Sequence, residues 1–138
     1  MSPDTEAAWA AGFERRRLEL REAIASRCTL EQHSMWTVHA AMRASPSAEV
    51  LERIVERGIH EAAGGGQLEG GPFEIMPAMA LLCRWHDQLP AKAIDRIRRL
   101  FVEGILERGN TENHWLMFYA GTLLAAERWA GEPRLGNG

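Results

Sequence analysis

Pro46, Pro90 and Pro133 fall 44 and 43 residues apart, each just after an apolar stretch, and Arg84-Trp85 recurs as Arg128-Trp129 at the same offset. Self-similarity at that period marks a repeated supersecondary unit, here an apolar helix, a short proline turn and an amphipathic helix. Stacked units of this length bury faces that none could bury alone, and they build either an open helical array or a closed toroid. No segment shows sustained period-two alternation and β-branched residues are thinly scattered, so no strands are expected. The expected fold is all α, with about six helices in repeated αα-hairpins, equivalent to half of an α/α toroid or to a short helical array.

Helix by helix, the apolar spacing sets the boundaries. Trp9, Phe13, Leu20 and Ile24 recur between Glu and Arg residues, predicting an amphipathic first helix over about 4–27. Thr29 and Gln32 have the spacing of a capping box, so a second helix is expected from about Leu30 to Ala44. Ser45 is placed to cap a third, with Pro46 at its first position, where a missing N–H loses no bond. Val50, Leu51, Ile54, Val55 and Ile59 form its buried stripe. Gly64, Gly65, Gly66, Gly70 and Gly71 predict a mobile loop over 64–71, either a lid over a cavity or a plain hairpin connection.

A fourth helix, nearly all apolar over about 75–88, places Pro77 in its first turn and packs Cys83 as a small hydrophobe. Pro90 opens a fifth, with Ile94, Ile97, Phe101 and Ile105 as its stripe and Gly109 as its C-cap. Asn110 or Thr111 caps a sixth, running to about Trp129. From Trp115 to Ala126 it carries no charge, so burial on most sides is expected. Pro133 should introduce another helix, yet Gly138 follows five residues later. The chain is therefore expected either to belong to a longer array or to complete its surface by homo-oligomerisation or with a partner chain.

Composition narrows the function. With 138 residues, 46% apolar and 25% charged, the chain suits a single folded domain over 1–138. Its 16 basic and 19 acidic residues are interspersed, so no phosphate-tracking stripe emerges and nucleic acid is not an expected partner. No apolar run approaches the roughly 20 residues of a membrane span. Met1 to Glu6 lack the basic and apolar regions of a secretory leader, so a cytoplasmic location is expected. Cys28 and Cys83 form no CxxC, and His33, His39, His60 and His86 have neither i,i+4 pairing nor an HExxH frame. No metal site and no cofactor is expected. Arg15-Arg16-Arg17 and Arg96-Arg98-Arg99 are interleaved with acidic residues and read as salt-bridged solvent faces.

Polar chemistry concentrates at the head of the sixth helix, in Thr111-Glu112-Asn113-His114-Trp115-Leu116-Met117-Phe118-Tyr119. His exchanges a proton near neutral pH and Asn offers a fixed neutral donor and acceptor beside it; equally, both could satisfy the free N–H groups of a first turn. Tyr119 lies about 140° around the helix from His114 and follows Trp115 by one turn. Trp36, Trp85 and Trp115, with His39 one turn from Trp36 and His86 beside Asp87, are candidates to line a pocket in which a sugar ring stacks.

This segment, followed by Leu123-Leu124-Ala125-Ala126-Glu127, resembles the Asn-His helix of α/α-toroid polysaccharide lyases, the alginate lyase and heparinase II/III-like group. Phe73 to Pro90 is similar to the preceding helix of such toroids. The resemblance covers about residues 73–130. It implies an acidic polysaccharide or oligosaccharide as partner and β-elimination from a uronic acid, or a partial, inactive relative of such an enzyme. Asn113 would neutralise the carboxylate, His114 would assist it or act as base, and Tyr119 would protonate the leaving oxygen. The alternative of a different class is a non-enzymatic helical module for interaction or self-association.

Overall fold

The computed structural model describes residues 3–27, 34–42, 46–63 and 65–135. Among them are six α-helices: α1 (Pro3–Arg27), α2 (Met35–Ala41), α3 (Ala48–Gly58), α4 (Pro72–Trp85), α5 (Ala91–Glu103) and α6 (Glu112–Arg128). A 3₁₀ turn, His86–Gln88, follows α4. Three short strands join them: β1 (His60–Glu61), β2 (Leu68–Gly70) and β3 (Ile105–Leu106).

Helix packing follows the repeat. α4 packs against both α2 and α6, α3 packs against α5, and the neighbours α2–α3 and α4–α5 touch as hairpins. That pattern makes two layers, α2-α4-α6 and α3-α5, as expected of stacked αα-hairpins. The core lies between them, with Met35 and Val38 from α2, Leu51 and Val55 from α3, Ile75, Met79 and Leu82 from α4, and Ile97, Leu100 and Phe101 from α5. An all-α array of helical hairpins is thus the architecture, and no described helix is long and apolar enough to cross a membrane.

Several local readings change. The expected capping box at Thr29 and Gln32, and Ser45, lie outside the described residues. α3 is capped by Ser47, whose hydroxyl accepts the Val50 N–H at 3.3 Å, so Pro46 precedes the helix instead of opening it. α4 starts three residues early because Pro72 is suited to a first turn and the Glu74 carboxylate accepts the Gly71 N–H at 2.9 Å. Pro77 therefore sits inside the helix. Cys83 is exposed, not packed.

The strands are the main departure from the expected all-helical connections. β2 pairs antiparallel with β1 (His60 opposite Glu69) and parallel with β3 (Glu69 opposite Ile105). Much of the glycine-rich stretch is therefore built into structure and is not a free loop. Ala62 donates to the Gln67 carbonyl at 2.7 Å, Gln67 Nε2 donates to the Glu103 carbonyl at 2.5 Å, and Gly71 caps α4. α5 ends at Glu103, six residues before Gly109. The Gly104 N–H closes back on the Arg99 and Leu100 carbonyls, and a Cβ there would collide with the Leu100 and Leu68 carbonyl oxygens. Ile105 consequently leaves the helical stripe and enters β3, where it is exposed.

Two burial expectations are corrected. Only Gly121 and Ala125 of α6 are buried; Leu116, Tyr119 and Leu123 stand exposed in a strip along the helix. An uncharged helix can be flush against one neighbour and bare elsewhere, and here α4 is that neighbour. α1 forms over the expected span, but from Thr5 to Leu20 every side-chain-bearing residue is exposed, including Trp9, Phe13 and Leu20. Its principal neighbour is α2.

Candidate functional site

The head of α6 is held by local chemistry. Thr111 is the N-cap, its hydroxyl accepting the His114 N–H at 3.3 Å, and Glu112 places an acid at the positive end of the helix dipole. Gly109, at φ +77°, turns the chain into the helix, and a Cβ there would meet the His114 ring at 2.8 Å. Glycine is thus a turn residue before α6 and not the C-cap of α5. The turned carbonyl of Gly109 accepts Trp115 Nε1–H at 3.1 Å, which fixes the indole.

Arg108, just before that turn, completes the group. Its guanidinium lies 4.5 Å from the centre of the Trp115 ring and donates to Tyr119 Oη at 3.3 Å. Cation, indole and phenol therefore share one surface, with Trp115 and Tyr119 one helical turn apart. His114 points the other way, its ring meeting Phe73 of α4 edge-on at 5.2 Å between centres. The Asn113 side chain is exposed and without a hydrogen-bond partner among the described residues.

The remaining candidates gather elsewhere. His39 of α2 lies 5.8 Å from Trp36 and 5.3 Å from Trp85, ring centre to ring centre. Its Nε2 donates to the Pro77 carbonyl at 2.8 Å, so the neutral ring carries its proton there. Arg84 stacks over Trp85 at 4.9 Å. His86 and Asp87 pair at 3.1 Å on the exposed turn after α4. The structure thus divides the expected lining: Trp36, His39 and Trp85 form one group between α2 and α4, while Trp115 and Tyr119 belong to another on α6. Arg108 is the member that sequence reasoning missed. Its only local signal is an arginine directly before the glycine turn of a helix head.

Burial lowers the pKa of His39 below the ordinary histidine value, the Pro77 bond opposes the shift and Arg84 reinforces it. With the folded-state pKa below the unfolded one, the unfolded chain takes up the proton first. The contribution of neutral His39 is fully present above about pH 6.5 and is lost as pH falls from there towards the lowered pKa. Urea denaturation of the protein across this range is expected to show stability declining on acidification, with the slope reduced in His39→Gln. An unchanged slope would refute the assignment to His39.

Arg15, Arg16 and Arg17 stand on an exposed face as expected, but Arg96 and Arg98 are half-buried and tie α5 to other segments, so the second arginine group is not a plain solvent face. Arg17 pairs with Glu14, Arg15 with Glu19, Arg99 with Glu103 and Arg98 with Glu132, while Arg96 donates to the Ile59 carbonyl at 2.8 Å beyond the end of α3. No protein-family model, curated protein or solved structure matches this chain.

Proposed function

We propose that the chain is a carbohydrate-active unit of α/α-toroid type that takes an acidic polysaccharide at the head of α6. The observation carrying this reading is Arg108 set between Trp115 and Tyr119 beside Asn113-His114. A uronate offers a carboxylate and an apolar ring face. Arg108 suits the carboxylate, the indole edge and phenol suit the ring, and Asn113 is free to bond a hydroxyl or carboxylate oxygen. In β-elimination, neutralising the carboxylate acidifies the C5 proton, a base removes it, and a donor protonates the departing oxygen. His114 and Tyr119 have the chemistry for the last two roles. Phe73 and Arg108 hold these rings in their present orientations, so a saccharide must turn His114 outward before it can act as base.

The test is a panel of acidic polysaccharides, read by calorimetry for binding and by the absorbance of unsaturated uronate for cleavage. Binding should weaken roughly tenfold in Arg108→Ala, as for loss of a charge-assisted bond. Cleavage, where it occurs, should vanish in His114→Ala and Tyr119→Phe. Neither binding nor cleavage with any member of the panel would sink the proposal.

A second reading, a helical interaction module, is supported by the exposed strip Leu116, Tyr119 and Leu123. Beside it lies an open cleft of about 550 Å³, lined by Leu106, Phe118, Tyr119, Leu123 and Leu135. An exposed apolar face of this kind marks an interaction surface. Silence of the saccharide panel, together with loss of apolar-dye binding when Leu116 and Leu123 are changed to Glu, would select this second reading.

A further inference from the structure

α1 stands apart from the two layers. A helix whose side chains are exposed over 5–20 gains little from tertiary packing, which supplies most helical stability in proteins. Yet it carries Trp9 at 75% and Phe13 at 67% exposure, one turn apart. At 100° per residue, Trp9, Phe13 and Leu20 fall within about 40° of one another around the axis. Trp9, Gly12, Phe13 and Arg16, together with Ala8, line a groove. The spacing i, i+3, i+4, i+7 is that of the four-residue hole that receives a side chain from a facing helix. Gly12 leaves its floor open, with nothing within 4 Å of where a Cβ would stand.

Charge decides the occupant and its direction. The helix begins with Asp4 and Glu6 and has no basic residue until Arg15-Arg16-Arg17. Parallel copies would set the arginines against each other, whereas antiparallel copies set the acidic start against them. Glu6 and Arg16 have no ion-pair partner among the described residues, and Arg17 has only an exposed pair with Glu14.

We propose that α1 pairs two copies of this chain antiparallel about a two-fold axis near Ala11. Trp9 of each copy fills the Trp9-Gly12-Phe13-Arg16 hole of the other. In this register Glu6 faces Arg17 of the second copy on one side of the seam, and the Arg16 guanidinium covers the opposing indole on the other. A two-fold contact satisfies the same surface on both copies at once.

Sedimentation of the full chain over a concentration series tests this. Wild type should pass from monomer to dimer in roughly the micromolar range, and Trp9→Ala with Phe13→Ala should remain monomeric with unchanged circular dichroism of the body. Glu6→Arg and Arg17→Glu should each associate about tenfold more weakly, since both cross-pairs become like-charged. Their equimolar mixture should recover dimerisation, because in the mixed dimer both pairs are again opposite. A wild type that stays monomeric at the highest concentration, or a mixture no tighter than either variant alone, would overturn the proposal.

Discussion

Gly121→Leu is expected to lower stability by about 3 kcal/mol, the upper part of the range for overpacking. At Gly121 the axes of α4 and α6 come so close that a Cβ would lie 2.5 Å from Ile75 Cγ2 and 3.3 Å from the Ile75 backbone. Ile75 is fully buried and β-branched, so its side chain has one favoured helical rotamer and little room to turn. A leucine must therefore push the helices apart, and that also loosens Phe118, Leu124 and Ala125, by which α6 packs on the core. Gly121→Ala should be much milder, because its gain in helix propensity, about 1 kcal/mol, offsets part of the clash. Urea midpoints for the two variants give the comparison. A leucine variant as stable as wild type would show that this approach does not limit the packing.

Phe101→Ala is the second large effect, expected at about 4 kcal/mol in the same measurement. Phe101 has no exposed surface and its ring lies 5.9 Å from that of Trp129, beyond the C-terminus of α6. Truncation leaves a void between the α3-α5 layer and the end of α6, and the neighbouring helices can close it only by shifting. A domain of this size commonly has about 5–15 kcal/mol in hand, so the variant should approach the threshold of folding. Phe101→Leu keeps most of the volume and should lose far less. A difference under about 1 kcal/mol between wild type and Phe101→Ala would refute the role assigned to this ring.

Helices and their order were legible because they depend on spacing alone. Thr111 was identifiable as one of two caps because the signal is local. Ser47 was not, since Ser45 and Ser47 flank Pro46 and either can cap. β2 and its partners are two or three residues long, too short for a period-two pattern, and they are held by backbone bonds that any side chain permits. Apolar composition misled at α6 and α1 for one reason: it states how much surface could be buried, not whether a neighbour is there to bury it. The site shows the same division. Asn113, His114, Trp115 and Tyr119 are consecutive or nearly so and stand out in the chain, whereas Arg108 and Phe73 reach them through space.

The strand triplet has a consequence for cooperativity. Hairpin arrays ordinarily behave as nearest-neighbour stacks in which a terminal unit can open by itself. Here β1 leaves α3, β2 enters α4 and β3 leaves α5, so hydrogen bonds tie the exit of one hairpin to the exit of the next. Opening the α5–α6 connection must break the parallel rungs on β2, whose other edge holds the end of α3. α3, α4 and α5 should therefore share one exchange-protection level in hydrogen–deuterium experiments, with the array between them acting as a single cooperative block instead of separable repeats.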